Sequence, residues 1–237
     1  MTTSAARRIT STPTSTPTSP QVSVKAVLFD FDGTLWDPEP HIFQCYQEVF
    51  REYGRVLPSS LWSSVIGTIG FDLWSHLEEV SGIPVNRVRA ENGVRRRTAA
   101  LLSAVTIRPG IHGVLAAVDA VGLARGIVSN STRSWISRYA AQCAIADGWK
   151  TIRSAEGDLM LAKPSPELYH RALADLGVHA DEALAFEDSP SGVRAATAAG
   201  IRCIAVPNQM TVDLDLSAAD LLVDSYENVD LSRLLNA

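Results

Sequence analysis

Cysteine and lysine are both scarce in this sequence. The three cysteines among 237 residues, Cys45, Cys143 and Cys203, are widely separated. An odd number at such spacing fits neither a disulfide framework nor a zinc-binding pattern, so we expect small buried side chains in a reducing compartment. Lysine also occurs only three times, and one of these residues, Lys163, lies inside a motif considered below.

Long apolar runs and an excess of positive charge are absent as well. No run reaches the roughly 18 apolar residues that a membrane span needs, and Arg7 and Arg8 are not followed by the apolar region of a secretion signal. The net charge of −5 does not indicate the positively charged surface that binds nucleic acid or a membrane. We therefore expect a cytoplasmic protein, monomeric or homodimeric, whose partner is a small molecule rather than nucleic acid or a membrane.

The composition is otherwise that of a globular protein, with 46% apolar and 20% charged residues. Residues 1–20 differ from the rest because they are rich in serine, threonine and proline. Such a segment cannot bury enough apolar surface to offset the entropy that it loses on ordering. We predict a disordered tail there.

The clearest strand pattern is followed by two acidic residues. Residues 24–29 form a short, mostly apolar run with β-branched valines, which favours a buried strand over a helix. Asp30 and Asp32 follow, and Gly33 breaks the pattern. Because residues i and i+2 of an extended chain point to the same side, both carboxylates should converge at the carboxyl end of a strand, where open α/β sheets bind ligands.

Two further parts of the sequence differ in periodicity. Residues 38–105 show apolar spacings of three and four, which predict a block of helices with no convincing strand. From Pro109 onwards strands and helices alternate, which predicts a parallel sheet covered on both faces. We therefore predict a doubly wound α/β core of residues 21–37 and 106–237, interrupted by a helical cap of residues 38–105.

Polar residues follow several predicted strands and should meet at one edge of the sheet. They are Asp30 and Asp32, Ser129 and Asn130, Glu187 and Asp188, and, on a nearby loop, Lys163. Four carboxylates so close together cannot all ionise without a cation, and oxygen ligands with no histidine or cysteine nearby favour Mg²⁺. With a lysine and backbone donors, this set predicts an anion pocket suited to phosphoryl transfer.

Four motifs are similar, in the same order, to those of the haloacid dehalogenase superfamily. They are Asp30-Phe-Asp-Gly-Thr-Leu, Ser129-Asn, Lys163-Pro-Ser-Pro-Glu and Phe186-Glu-Asp-Ser-Pro-Ser-Gly-Val-Arg-Ala-Ala. The resemblance covers about residues 22–230. It implies a Rossmann-like core, and the helical insertion resembles the cap of the first subclass.

The resemblance also implies a role for each motif residue. Asp30 is then the nucleophile, which forms an aspartyl-phosphate, and Asp32 is first a general acid and later a general base. Mg²⁺ is bound by the carboxylate of Asp30, the main-chain carbonyl of Asp32 and the carboxylate of Asp188, with Glu187 assisting through water. The phosphoryl oxygens are held by Ser129, the backbone of Asn130 and Lys163.

The same motifs distinguish among the activities of the superfamily. Asp32 favours phosphate esters over alkyl chlorides, because a leaving chloride needs no proton. The last motif resembles the branch of sugar-phosphate phosphatases and beta-phosphoglucomutase. The mutases usually carry a histidine where this chain has Ile42, and His41 is one residue early, about 100° away around a helix. We predict a phosphatase for a small sugar or polyol phosphate, with a phosphomutase and a non-catalytic ligand-binding protein as alternatives.

Substrate specificity should depend on the predicted cap, which closes over the site. The candidates are Trp36, Glu39, His41, the turn at residues 67–70 and the arginines at positions 95–97. We select Glu39 and Arg97 as substrate-binding residues, and helical phase alone does not show which arginine faces the site.

Overall fold

Six strands of the described chain form one parallel sheet. The computed structural model describes residues 23–235, so the tail predicted for residues 1–20 lies outside the described range. The strands are β1 (Ala26–Phe29), β2 (Ala124–Ser129), β3 (Thr151–Ser154), β4 (Ala183–Glu187), β5 (Arg202–Ala205) and β6 (Leu221–Leu222). Their order across the sheet is β3-β2-β1-β4-β5-β6, which confirms the predicted doubly wound parallel architecture.

Helices precede, connect and cover the strands. They are α1 (Glu39–Glu52), α2 (Ser59–Val65), α3 (Leu73–Ser81), α4 (Arg87–Leu102), α5 (Ile111–Ala120), α6 (Arg133–Gln142), α7 (Glu167–Leu176), α8 (Pro190–Ala198) and α9 (Leu231–Leu235). In the part of the chain that the structure describes, no helix has both the length and the apolar character that a membrane crossing requires. The three cysteines are free and buried, as predicted.

The strand β1 lies in the middle of the sheet and is buried on both faces. Val27 and Phe29 belong to the hydrophobic cluster on one face, and Ala26 and Leu28 belong to the cluster on the other. All four residues have 0% exposure. Burial on both faces explains why this strand is a continuous apolar run rather than an alternating one. The same packing holds Asp30 at its carboxyl end.

Residues 38–105, which we call the helical insert, contain α1 to α4 and have a hydrophobic cluster of their own. Phe50 of α1, Leu57 and Leu77 of α3 are fully buried in this cluster. The boundaries between a core and a cap stay a prediction, and the separate packing of the insert supports them.

The chain enters and leaves the helical insert through two neighbouring segments. Trp36 and Ile107 form an isolated antiparallel bridge. Next to it, the backbone N–H of Arg108 donates to the carbonyl of Leu35 at 3.0 Å. The two chain connections of the insert therefore lie side by side, close to Asp32.

The start of the helix α3 at Leu73 is fixed by a side-chain cap. The carboxylate of Asp72 accepts hydrogen bonds from the backbone N–H groups of Trp74 and Ser75, both at 3.1 Å. Asp72 is thus the N-cap, and it ends the preceding turn.

Candidate active site

The carboxyl ends of β1 and β4 lie side by side, because the two strands pair in parallel with Phe29 opposite Phe186. The residues that follow are therefore neighbours. One carboxylate oxygen from each of Asp30, Glu187 and Asp188 lies within 4.8 Å of the other two. The three residues are 7%, 0% and 1% exposed. The structure brings together three of the four acids that the sequence predicted around a metal.

Lys163 lies between two of these acids and neutralises part of their charge. Its Nζ donates to Asp30 Oδ1 at 2.6 Å, to Glu187 Oε1 at 2.7 Å and to the carbonyl of Val128 at 2.7 Å. Burial alone would lower the pKa of Lys163, but the charges of Asp30 and Glu187 outweigh it and raise the pKa above its ordinary value. Lys163 is thus a buried cation whose three protons all have acceptors.

The oxygens of Glu187 and Asp188 have different environments. Glu187 Oε1 accepts from Lys163 and from the hydroxyl of Tyr169. Its Oε2 is buried and has no hydrogen-bond partner in the structure. Asp188 Oδ2 accepts from the side-chain amide of Asn208 at 2.9 Å, and Oδ1 accepts from Thr34 at 3.3 Å. Glu187 thus accepts from the charged Lys163, whereas the donors to Asp188 are neutral. The Oε2 of Glu187 is the one oxygen of the two residues that is buried without a partner.

A hard divalent cation fits this set of donors. Burial is the main cause that raises the pKa of Glu187 to about 7. Burial, followed by the negative charges of Asp30 and Glu187, raises the pKa of Asp188 well above its ordinary value. Carboxylates that repel one another in this way are stabilised as anions by a cation, and Mg²⁺ prefers carboxylate oxygen and water as ligands. The unpartnered Oε2 of Glu187 is a further buried acceptor on a residue of this cluster.

Asp32 differs from the other acids because its carboxylate is held outside their cluster. Its Oδ1 accepts from the indole Nε1 of Trp135 at 2.7 Å, and its Oδ2 accepts from the hydroxyl of Ser131. Burial raises the pKa of Asp32 to about 7, although the hydrogen bonds from Ser131 and Trp135 lower it. A carboxyl group with this pKa can both give and take a proton near neutral pH.

Ser129 ends β2 and Asn130 follows it, next to Lys163, as the sequence predicted. The backbone N–H of Lys163 donates to Asn130 Oδ1 at 2.8 Å, and Asn130 Nδ2 donates to the carbonyl of Gly67 at 3.1 Å. The hydroxyl of Ser129 accepts from the backbone N–H of Ser131 at 3.1 Å. The Asn130 side chain therefore joins the loop of Lys163 to the helical insert.

The acids and the helical insert enclose a cavity of about 270 Å³. The sheet contributes Asp30, Asp32 and Lys163, and the insert contributes Glu39 and the turn around Gly67. This turn approaches the sheet closely: a Cβ on Gly67 would lie 2.7 Å from two serine hydroxyls of the last motif, and its φ is +70°. Only glycine fits there, and it lets the turn pack directly against the last motif and cover the cavity.

Glu39 is the predicted substrate-binding residue that reaches this cavity. Its Oε2 accepts from the indole Nε1 of Trp62 at 3.1 Å. Burial, followed by the negative charges of Asp32 and Asp37, raises the pKa of Glu39 to about 8. A carboxyl group opposite the acids of the sheet is suited to hydrogen bonding with hydroxyl groups of a ligand.

Two other candidates from the helical insert and its hinge lie elsewhere. Arg97, predicted to bind substrate, pairs instead with Glu48 and Glu52 at 2.8 Å each, and it does not line the cavity. Trp36, another of the specificity candidates, is fully buried and stacks on Tyr139 with ring centroids 4.0 Å apart. Arg97 therefore faces α1 rather than the cavity, and Trp36 belongs to the buried hinge.

Another arginine of the same run reaches a ligand-sized space. Arg95 lines a second cavity of about 370 Å³ between the helical insert and α6. Trp135 and Ile42 line both cavities. The arginine facing a cavity is therefore two positions before the predicted one.

Sequence reasoning missed several residues that position the motif side chains. Ser131 and Trp135 hold Asp32, Tyr169 holds Glu187, and Asn208 holds Asp188. A signal existed for both residues, since Ser131 directly follows the second motif and Trp135 lies in the first turn of the next helix, α6. No comparable pattern marks Asn208, which lies in a loop after β5.

Comparisons with known proteins agree with this geometry. A family described as haloacid dehalogenase-like hydrolase matches residues 27–206. The chain belongs to this family. A Bacillus subtilis member named "Putative phosphatase YhcW" is 39% identical over 214 residues, which cover 90% of this chain and 97% of the relative. Hexitol phosphatase B of Escherichia coli is 28% identical over 190 residues, with 78% and 84% coverage.

Solved structures of the haloacid dehalogenase-like family share the fold. CbbY of Rhodobacter sphaeroides, solved with xylulose-(1,5)bisphosphate, superimposes with a TM-score of 0.70 at 25% identity. The match covers 86% of this chain and 96% of CbbY. The prediction of a first-subclass member in the sugar-phosphatase-like branch is confirmed, and the chain is a phosphoric monoester hydrolase.

Proposed function

We propose that this phosphatase is Mg²⁺-dependent and hydrolyses a small sugar or polyol phosphate through an aspartyl-phosphate on Asp30. The observation that supports the proposal best is the separation of the two motif acids. Asp30 lies in the carboxylate cluster beside Lys163, whereas Asp32 is held outside it with a pKa of about 7. One acid is therefore suited to attack and the other to proton transfer.

In the first step, the Asp30 carboxylate attacks phosphorus in line with the ester oxygen. The new bond joins Asp30 to phosphorus as the bond to the ester oxygen breaks, and Asp32 gives its proton to the departing alkoxide. Ser129 and the backbone of Asn130 hold the phosphoryl oxygens. Lys163 stabilises them through its charge, because its three protons already have acceptors.

In the second step, Asp32 takes a proton from a water molecule as that water attacks phosphorus. The bond between Asp30 and phosphorus breaks, which releases inorganic phosphate and restores both carboxyl groups. The carboxylates of Asp30 and Asp188 and the carbonyl of Asp32 would hold Mg²⁺, with Glu187 acting through water. When bound, the ion supplies positive charge next to the phosphoryl group and the three buried carboxylates.

The size of the cavity and the residues of the insert that line it support the proposed substrate class. A volume of about 270 Å³ suits a small metabolite. Glu39 is a polar side chain that the insert contributes to this cavity, where it can bind the hydroxyl groups of a sugar or polyol. Relatives named for hexitol phosphate and phosphorylated carbohydrates support this class. A monomer or homodimer in the cytoplasm stays a prediction.

The proposal is tested with a panel of phosphorylated metabolites and 4-nitrophenyl phosphate, assayed for phosphate release. We expect Asp30→Asn, or chelation of Mg²⁺, to abolish turnover, and added Mg²⁺ to restore it only in the wild type. Asp213→Asn is the matched control, because Asp213 is an exposed acid outside the four motifs. Full activity of Asp30→Asn would overturn the proposal. Isomerisation of a sugar phosphate without phosphate release would support the phosphomutase alternative instead.

A further inference from the structure

Both oxygens of Asp32 are occupied by donors from the segment that follows β2. The indole Nε1 of Trp135 lies 2.7 Å from Oδ1, and the hydroxyl of Ser131 donates to Oδ2. Both residues also line the 270 Å³ cavity. We propose that Trp135 and Ser131 are positioning residues that orient Asp32 toward the ester oxygen and determine which of its oxygens carries the proton.

The two donors are chemically different, and this difference gives them different roles. An indole N–H can only donate, so the oxygen that it contacts must remain an acceptor. A serine hydroxyl can donate or accept after rotation. When Asp32 is protonated, Oδ1 therefore stays paired with Trp135, and the proton resides on Oδ2. The proton is thus placed on one defined side of the carboxyl group.

The indole is held firmly enough to impose this orientation. Trp135 lies in the first turn of α6, and its backbone N–H donates to the N-cap hydroxyl of Thr132 at 3.3 Å. Its ring packs edge-on against Tyr139, with centroids 4.6 Å apart, and against Trp36 at 5.9 Å. The burial of Trp36 thus gains a role, since Trp36 is part of the packing behind the indole.

The inference rests on the proposed role of Asp32 and has a specific kinetic consequence. A nitrophenolate leaves without a proton, whereas the alkoxide of a polyol needs one from Asp32. Disorienting Asp32 should therefore slow the cleavage of alkyl phosphates and leave aryl phosphates almost unaffected. The value of kcat/KM reports this step, because it ends with the departure of the leaving group, before water attacks the aspartyl-phosphate.

The test compares kcat/KM for glycerol 1-phosphate and 4-nitrophenyl phosphate in Trp135→Phe, which keeps an aromatic ring and removes the donor. We expect a loss of about tenfold or more for glycerol 1-phosphate and less than about threefold for 4-nitrophenyl phosphate. Ser131→Ala should show the same selectivity. Trp149→Phe is the matched control, because it removes an indole hydrogen bond, to the carbonyl of Ile145, away from the site. Its losses for the two substrates should be equal.

Asp32→Asn, measured in parallel, separates the role of Asp32 as general acid from the positioning role of Trp135 and Ser131. If Asp32→Asn slows both substrates equally, the proposed general acid is wrong. If Asp32→Asn is selective and Trp135→Phe is not, the positioning role alone is overturned. In the double variant, Trp135→Phe should add nothing to Asp32→Asn, because it acts through that carboxyl group. An additive loss would contradict the inference.

Discussion

The carboxyl edge of the sheet and the helical insert use charged residues in opposite ways. At the sheet edge, the side chains of Lys163 and Glu187 are 3% and 0% exposed and lie 2.7 Å apart. In the insert, the side chains of Arg97 and Glu52 also lie 2.8 Å apart, but they are 35% and 43% exposed. The distances are similar, so the difference is the solvent around each pair. Charges at the sheet edge interact strongly, whereas those of the insert are screened.

This difference indicates which residues can change without loss of function. At the sheet edge Lys163 contacts both Asp30 and Glu187, so a single substitution there leaves buried charges uncompensated. On the surface of the insert, water can replace a lost partner. Glu39 is the exception, because it belongs to the insert yet is half-buried near the acids of the sheet.

The largest expected effect comes from removing the buried cation at the sheet edge. Lys163→Met removes the cation shared by Asp30 and Glu187, so two buried carboxylates are left facing each other. We expect kcat to fall by about 100-fold or more. Lys150→Met is the control, because Lys150 is exposed and far from the motifs, and its kcat should be unchanged. A Lys163→Met enzyme within threefold of the wild type would show that the buried charge is dispensable.

The sheet edge could be predicted from the sequence because two constraints act there together. Parallel pairing aligns strand ends, so residues that follow β1, β2 and β4 must meet. The motif residues Asp30, Glu187 and Asp188 accordingly lie together, with Lys163 between two of them. Their hydrogen-bonding partners could not be predicted in the same way. Asn208, for example, reaches Asp188 from a loop whose path depends on tertiary packing.

The helical insert was predictable as a set of helices but not in its orientation. Apolar spacing indicates the buried face of each helix, yet it does not show which polar residues face the sheet. Arg95 and Arg97 are both polar neighbours on α4, and only the packing places one at a cavity and the other in surface ion pairs. Glu39 lines the cavity because it lies close to the hinge, and its binding of substrate stays a prediction.

Three glycines in helices allow the sheet edge and the helical insert to be compared by how much an added methyl group changes stability. A Cβ on Gly192, in α8 at the sheet edge, would lie 1.8 Å from Oε2 of the buried Glu187. A Cβ on Gly93, in the insert, would meet the end of the flexible Arg97 side chain at 3.0 Å. A Cβ on Gly113, in α5, would meet nothing within 4 Å.

We expect the three alanine variants to differ in the free energy of unfolding, measured with urea. Gly192→Ala should lose about 3 kcal/mol, because a buried carboxylate must move. Gly113→Ala should gain about 0.5–1 kcal/mol from helix propensity, and Gly93→Ala should lie between them. If Gly192→Ala were as stable as Gly113→Ala, the sheet edge would be more adaptable than its packing indicates.

A smaller effect concerns the pH dependence that Glu39 gives to the free energy of unfolding. Its pKa is raised to about 8 by burial, so the folded protein keeps a proton that the unfolded chain releases above pH 4.5. Stability from this group is therefore lost as the pH rises from 4.5 through about 8. Glu39→Gln should make the slope of unfolding free energy against pH less negative, by up to about 1.4 kcal/mol per pH unit.

The measurement is urea unfolding at several values between pH 5 and pH 9, without added metal. Glu48→Gln provides the control, because Glu48 lies on the same helix with its side chain 39% exposed. Its slope should match that of the wild type. An unchanged slope in Glu39→Gln would mean that this carboxyl group is ionised in the folded protein at neutral pH.

The smallest expected effect concerns Arg97, which the sequence suggested as a substrate ligand. Its guanidinium pairs with Glu48 and Glu52 on the surface, so Arg97→Ala should change the unfolding free energy by less than about 1 kcal/mol. Its KM for the preferred phosphate ester should stay within about twofold of the wild type, because screened rim contacts contribute little to binding. Arg95→Ala is the matched substitution on the same helix, and it should show the larger change in KM because Arg95 lines a cavity. A tenfold rise in KM for Arg97→Ala alone would restore the original prediction. It would also require the helical insert to rotate against the sheet when substrate binds, since the ion pairs of Arg97 would then have to break.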